Sequence, residues 1–285
     1  MNPSDKGLLV LVTRPQATGS QLAARLCNAG RDALWWPAFD LLPPEDPMAL
    51  KSRIARLADF DLVIFVSPAA VHAFASAFRR MYRGSAQHAW PAATAIAAVG
   101  SATRDAALAS LPCAGEARIV CPAGEGAADA GSDALIEVIR ELPDPPRAVL
   151  LVRAQSGRQR LVEWLQGRGA GVEEAVAYRR VAHQPKDSQW AVLQASVRAG
   201  VRLAVLYTSS EAVGVVARQF EGDRELADAH ADSIALAIHE RIERELRARG
   251  VTDVRRCGME IDSILQALRD PVPAAPPQSR VDFLL

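Results

Sequence analysis

Along the chain, short apolar runs alternate with polar stretches of helical period. "LLVLVTR" (8–14), "ALWWPAF" (33–39), "LVIFVS" (62–67), "AIAAVG" (95–100) and "ARIVC" (117–121) occupy the first half. "AVLLVRA" (148–154), "GVEEAVAYRRV" (171–181), "LAVLYTS" (203–209), "SIALAI" (233–238) and "DVRRC" (253–257) occupy the second. Most are apolar nearly throughout, which predicts parallel strands covered on both faces. Between them, segments such as Gln21–Asn28, with Leu22 and Leu26 on one face and Gly30 beyond the end, predict helices. Strand and helix alternating in this way predict an α/β fold. Residues 171–181 differ. Val172, Glu174, Val176 and Tyr178 alternate with Glu173, Ala175, Ala177 and Arg179, and the run ends in a phenol beside arginines.

The second half weakly repeats the first. At a shift of 139 residues, Leu22, Leu26, Gly30 and Phe39 fall on Leu161, Leu165, Gly169 and Tyr178. At a shift of 142, "IFVSPAAV" (64–71) falls on "LYTSSEAV" (206–213), which aligns Ser67 with Ser209. The common order of these matches indicates duplication. A duplicated five-strand unit predicts two similar lobes with a cleft between them, where small-molecule sites usually lie.

Composition narrows the chemistry. Basic and acidic residues balance at 33 each, so an anion-binding site must be a local cluster and nothing in the total asks for nucleic acid. Cys27, Cys113, Cys121 and Cys257 are widely spaced and read as buried thiols, neither disulfides nor metal ligands. No secretory cleavage site or apolar window of about 20 residues is present, so the expectation is a soluble, cytoplasmic protein without membrane contact. The loop "CPAGEGAADAGSD" (121–133) leads to Ser132, expected to cap a helix carrying Leu135, Ile136 and Ile139. The proline-rich tail from about 270 to 285 is expected to be disordered, its apolar end Phe283-Leu284-Leu285 included.

No G-x-G-x-x-G follows a strand, no P-loop spacing occurs, and neither HExxH nor a G-x-S-x-G elbow is present. Metal, nucleotide and acyl-enzyme chemistry lose ground accordingly. What remains is a set of strand ends bearing hydroxyls and guanidiniums: Thr13-Arg14, Ser67, Gly100 to Thr103, Arg153 with Arg158, Tyr178, and Thr208 to Ser210. In parallel α/β sheets ligands bind at that edge, against helix N-termini whose unpaired N–H groups attract anions. Each serine alone reads equally well as a helix cap. Together with the arginines the set predicts a site for a molecule bearing several carboxylates. Trp35, Trp36 and Trp164 are expected in the core.

In their order, "VLVTRP", "FDLVIFVSPAAV", "AIAAVGSAT", the loop before Ser132-Asp133, "VLLVRAQSGRQRL", the tyrosine strand and "LAVLYTSSEAV" resemble the uroporphyrinogen-III synthase family over about residues 8–268. The resemblance implies two flavodoxin-like parallel-sheet lobes with exchanged repeats, joined by a two-stranded connection around a cleft. The first would hold 1–38 and 182–285, the second 41–178. It implies a lyase of porphyrin, haem and wider tetrapyrrole biosynthesis. That family cyclises hydroxymethylbilane, a linear tetrapyrrole with eight carboxylates, to uroporphyrinogen III with loss of water and inversion of ring D. An azafulvenium cation and a spiro intermediate would lie on the path. No metal or organic cofactor is implied.

Tyr178 resembles the family's catalytic tyrosine. Thr13, Arg14, Ser67, Ser101, Thr103, Arg153, Arg158, Ser209, Ser210 and Arg241 would hold the substrate. A monomer is implied, with a transient contact to the enzyme that makes hydroxymethylbilane. One departure stands out. Where the family often has a Gly-Pro-x-Thr-like turn, this chain reads His239-Glu240-Arg241-Ile242. Either Arg241 or His239 replaces a threonine contact there, or the corner offers only backbone amides. Two other classes stay open: a two-lobed polycarboxylate-binding protein without catalysis, and a nucleotide-dependent transferase.

Overall fold

In a computed structural model, the described residues are 7–83, 89–112, 114–123, 131–155 and 159–269. The strands, in chain order, are β1 (Leu8–Val12), β2 (Asp32–Trp35), β3 (Phe39–Leu42), β4 (Leu62–Phe65), β5 (Ala95–Ala98) and β6 (Ile119–Val120). They continue with β7 (Ala148–Ala154), β8 (Gly171–Ala182), β9 (Arg202–Tyr207), β10 (Ile234–Ala237) and β11 (Val254–Arg256). The helices are α1 (Gln16–Asn28), α2 (Pro47–Ala55), α3 (Pro68–Met81), α4 (Ser101–Ser110), α5 (Ser132–Arg140) and α6 (Arg160–Gln166). After them come α7 (Asp187–Arg198), α8 (Ser210–Phe220), α9 (Arg224–Ala231), α10 (Glu240–Ala248) and α11 (Ile261–Arg269).

The chain divides into two compact units, one of Met1–Asp40 with Ala182–Leu285, the other of Leu41–Val181. A five-stranded sheet runs β11-β10-β9-β1-β2 and a six-stranded one β3-β8-β7-β4-β5-β6. Read through the repeat, β7, β8, β4, β5 and β6 correspond to β1, β2, β9, β10 and β11. Both sheets then share one order, and each combines strands from both halves of the duplication. The fold is α/β, with parallel pairing at β1–β2, β1–β9, β9–β10 and β10–β11 in the first sheet. The second sheet pairs in parallel at β7–β8, β4–β7, β4–β5 and β5–β6.

Apolar residues alternate between the two faces of each sheet and meet helices on both. In the first unit, Leu9, Leu11, Val205 and Tyr207 pack with Trp36, Phe220 and Leu246 on one face. Val10, Val12, Leu206 and Leu236 meet Leu22, Leu26 and Ile264 on the other. In the second unit, Val63, Phe65, Leu150 and Val152 pack with Phe74, Phe78 and Trp90. Ile64, Val149, Leu151 and Ala97 lie under Leu135, Ile139 and Leu165. Side chains stiff at χ1 and stripped of water on both faces make these strands the natural centre of each unit.

Several sequence expectations are corrected here. "ALWWPAF" is two strands in different sheets, because the chain turns through Pro37, and the N–H groups of Trp36 and Ala38 bond to the carbonyls of Val12 and Thr13. The α1 helix begins at Gln16, earlier than Gln21. Ser132 is the first helical residue of α5, not its cap; Gly131 takes the cap position. Cys27 is exposed, so the buried-thiol expectation fails for it, while Cys121 and Cys257 are half-buried. Cys113, most of the 121–133 loop and the tail from 270 lie outside the described residues. Trp36 is fully buried in the core, and Trp164 packs at the edge of one with Arg168 over its ring.

Two local features generate predictions. Gly19 sits where α1 passes the end of β1. A Cβ there would overlap the Arg14 carbonyl oxygen and lie 2.6 Å from Trp35 Nε1, atoms that hydrogen-bond to each other at 2.9 Å. Neither is a flexible side-chain tip, so Gly19→Ala should destabilise by about 1–3 kcal/mol despite alanine's better helix propensity. Urea unfolding checks this. Tyr207 and His230 form a second feature: Tyr207 Oη and His230 Nε2 are 2.7 Å apart beside Phe220. Burial lowers the imidazole to about 4 and raises the phenol, so both groups are uncharged at neutral pH. With the folded value below the ordinary 6.5, the unfolded chain takes a proton the folded one refuses. Stability is therefore fully present above pH 6.5 and should fall as pH drops from there through 4, by up to about 3 kcal/mol. In His230→Gln this component should vanish from the pH dependence of urea unfolding.

Candidate functional site

In each sheet the strand order reverses at one place, between β1 and β9 in the first and between β7 and β4 in the second. Open parallel sheets bind ligands at the carboxyl ends of such neighbours, because the helices leaving in opposite directions part there. The described residues among those singled out from the sequence lie along these two carboxyl edges, and each edge is built differently.

In the second unit, Tyr178 lies within β8, which continues to Ala182, so the phenol does not end its strand. Its pairing with β7 does stop there. Arg153 pairs with Val176 but Ala154 pairs with Tyr178, leaving Ala177 as an extra residue in a bulge. Simple alternation would put Tyr178 on the face of Glu174 and Val176. The bulge shifts the phase by one and turns the ring to the other face, with Leu150, Val152 and Ala175. There it is 4% exposed. Its neighbour across β7 is only the methyl group of Ala154, and β4 lies two strand spacings away, roughly 10 Å. The ring spans that distance: Tyr178 Oη reaches within 3.4 Å of Ser67 Oγ.

Ser67 is also the N-cap of α3, its Oγ accepting from Ala70 N at 3.1 Å. An accepted N–H still leaves the serine proton and a lone pair, so the hydroxyl caps the helix and meets the phenol together. Arg153 points to the opposite face, where it is 7% exposed and its Nε lies 2.9 Å from Glu174 Oε2. The structure thus brings Ser67 and Tyr178 together and sets Arg153 apart from them. Glu173 is held in turn by Arg53 and Arg56, so both carboxylates of β8 have basic partners. Ser101 and Thr103 open α4, the helix that follows β5; Gly100 caps that helix, and Thr103 is buried within its first turn. Arg158 lies outside the described residues.

In the first unit, Thr13 follows β1, is 1% exposed, and donates its hydroxyl to the Leu206 carbonyl at 2.7 Å. That bond ties β1 to β9 and leaves the side chain little to offer a ligand. Arg14 is next, half-buried, with Nε donating to Thr18 Oγ1 at 3.2 Å and its carbonyl held by Trp35. Burial pulls this guanidinium below its ordinary value, yet arginine remains a cation at neutral pH. Gln16, two residues on, has φ of 60°, a left-handed conformation that a glutamine adopts at some cost. Ser209 repeats the role of Ser67: it caps α8, accepting from Ala212 N at 3.2 Å, and Ser210 begins the helix. Both caps leave a first turn of backbone N–H groups at the sheet edge, a setting that favours anions.

At the departure from the Gly-Pro-x-Thr pattern, His239 caps α10, its Nδ1 accepting from Arg241 N at 3.1 Å. Arg241 is exposed on the first turn, and Ile242 turns into the core at 3% exposure. No hydroxyl replaces the threonine at this corner. A pair not singled out from the sequence lies near the point where β3 and β8 pass: His183 Nδ1 is 2.9 Å from Asp40 Oδ1, and His183 N donates to the Ala38 carbonyl. Its residues are 143 positions apart, a separation that no local spacing reveals. Among the described residues no group of three or more His, Cys, Asp or Glu side chains is placed to hold a metal ion, and no helix is long and apolar enough to cross a membrane.

Comparison with known proteins points the same way. A family model described as uroporphyrinogen-III synthase HemD matches residues 20–263. Over 211 residues the chain is 29% identical to the uroporphyrinogen-III synthase of Synechococcus elongatus, covering 73% of this chain and 72% of that relative. Over 177 residues it is 28% identical to the Escherichia coli K12 enzyme of the same name, covering 61% of this chain and 65% of that one. The solved structure of a mutant uroporphyrinogen III synthase from Thermus thermophilus is similar with a TM-score of 0.55 at 20% identity, over 92% of this chain and 97% of that one. The uroporphyrinogen-III synthetase of Helicobacter pylori 26695 gives 0.54 at 15% identity, over 91% and 97%. At those identities the two structures speak for the fold. The sequence match carries the family: this chain belongs to the uroporphyrinogen-III synthases.

Proposed function

We propose that the chain cyclises hydroxymethylbilane to uroporphyrinogen III with inversion of ring D, and that Tyr178 assists departure of the substrate's hydroxyl. The observation that carries the reading is the family match across residues 20–263. In the first step the carbon–oxygen bond of the hydroxymethyl group breaks. Oxygen leaves with the electron pair and a proton as water, and the pyrrole nitrogen supplies electrons to give an azafulvenium cation. The substituted α-carbon of ring D attacks that cation to form a spiro centre, which fragments and closes through the other α-carbon. Ser67, its oxygen already accepting from Ala70 N, would turn its hydroxyl toward Tyr178 Oη, leaving the phenol's own proton to hydrogen-bond the leaving oxygen. Hydrogen-bond or proton donation of this kind is worth about 10²–10⁴-fold.

The rest of the task is positioning. Because hydroxymethylbilane also closes unaided to the uninverted isomer, the protein must hold ring D so that the correct carbon attacks. Arg14, the first-turn amides beyond Ser67 and Ser209, Ser101, Ser210 and the exposed Arg241 are the proposed carboxylate holders. Arg153 would serve only by sharing its charge with Glu174, and Thr13 by shaping the edge. Arg158 and Thr103 stay in the proposal on the resemblance. A monomer acting in the cytoplasm, with a transient contact to the enzyme that makes its substrate, completes it.

Two experiments test the proposal. Freshly prepared hydroxymethylbilane mixed with the pure chain should yield the type III isomer faster than the spontaneous type I product forms; type I alone would leave a binding protein without catalysis. Tyr178→Phe keeps the ring and its packing, so its loss of stability should stay near the ~1 kcal/mol of a single hydrogen bond. Its turnover should fall between about 10²- and 10⁴-fold in a single-turnover assay. Unchanged turnover would make the phenol a packing residue.

A further inference from the structure

The opposite edge of the second unit holds a cavity that the proposed reaction does not use. Its volume is about 520 Å³, and its floor lies at the amino ends of β7, β4, β5 and β6, where Arg147, Asp61, Ala95 and Arg118 stand. Ser67 and Tyr178 belong to the carboxyl ends, separated from this floor by at least the length of β4, roughly 13 Å.

The cavity's charges are of two kinds. Asp61 is structural: its Oδ2 accepts from Arg147 N at 2.8 Å and Ala148 N at 2.9 Å, pinning the start of β7. Arg118, Arg147 and Asp144 are different. All three line the cavity and are exposed, and among the described residues none of their side chains has an ion-pair or hydrogen-bond partner. Leu142, Pro145 and Pro146 supply an apolar wall. Proline fixes φ, so this wall is largely preformed and little conformational entropy is lost when something packs on it.

We infer that this cavity binds a compact amino-dicarboxylate. Two carboxylates meet the guanidiniums of Arg118 and Arg147, an ammonium meets Asp144, and the aliphatic body lies on Leu142 and the two prolines. A simple anion would leave Asp144 facing like charge, and a simple cation would face both arginines. Guanidinium–carboxylate pairs are bidentate and charge-assisted, which suits recognition at a partly wet site. The volume is within the ordinary range for small-molecule sites.

The test does not depend on the cyclisation reading, since it measures binding alone. L-Glutamate, used as the probe on the full chain in calorimetric titration, should saturate at millimolar concentration. Arg118→Gln and Arg147→Gln should each weaken it by about tenfold or more. Asp144→Asn should weaken L-glutamate while leaving glutarate, which has no ammonium, unimpaired. All three side chains are exposed, so each variant should melt with the parent chain. Absence of saturation, affinities untouched by these substitutions, or inorganic phosphate binding as tightly as L-glutamate would each overturn the inference.

Discussion

The first unit depends on the parallel pairing of β1 with β9. Val12 lies opposite Leu206, and the Thr13 hydroxyl adds a bond to the Leu206 carbonyl across 193 residues of sequence. Strands buried on both faces have no water to fall back on, so every backbone group must find its partner in the sheet. Two strands alone, β1 and β2, would be too few to bury a core. The N-terminal segment is therefore folded only when the C-terminal strands are there to receive it. The second unit is contiguous from Leu41 to Val181, and its central pairing of Leu62 with Val149 lies wholly within that stretch.

That same architecture explains where the functional groups lie. Parallel strands send all their carboxyl ends to one edge, and the reversal of strand order opens a gap between departing helices. In each unit a serine just beyond a strand caps the helix that follows, Ser67 for α3 and Ser209 for α8. Capping and ligand holding are compatible, because the cap satisfies one amide and leaves others at the edge. The chain's balanced charge makes the arginines effective only through placement, and their placements differ. Arg14 is partly desolvated, Arg153 is bound to Glu174, and Arg241 stands in solvent. A polyacid approaching these edges would meet backbone dipoles as much as formal charge.

Much of the fold was legible because both-face burial writes itself as unbroken apolar runs, and β7 is read at its true bounds. The misread stretch, "ALWWPAF", fails for an identifiable reason: an apolar run does not say which sheet receives it, and Trp35 and Phe39 go to different ones. The repeat was legible through Gly30 and Gly169, each at positive φ behind its helix, where a side chain would be strained. The candidate site was legible as a set of strand ends and illegible as contacts. Neither the Ser67–Tyr178 approach nor the Asp40–His183 pair follows from spacing, since both join residues more than a hundred positions apart.

The direction of the Tyr178 ring rests on a single surplus residue, Ala177, in the pairing of β8 with β7. A one-codon deletion within that stretch would leave β8 a strand and its hydrogen bonds largely intact. It would also keep the phenol on the Ser67 face, because with the surplus residue gone Tyr178 still falls opposite Ala154, whereas a one-codon insertion that the bulge does not absorb would carry it to the underside of the sheet. Gene variants that lengthen this segment by one residue should thus be more damaging than those that shorten it, and aligning relatives here requires counting strand faces as well as matching letters.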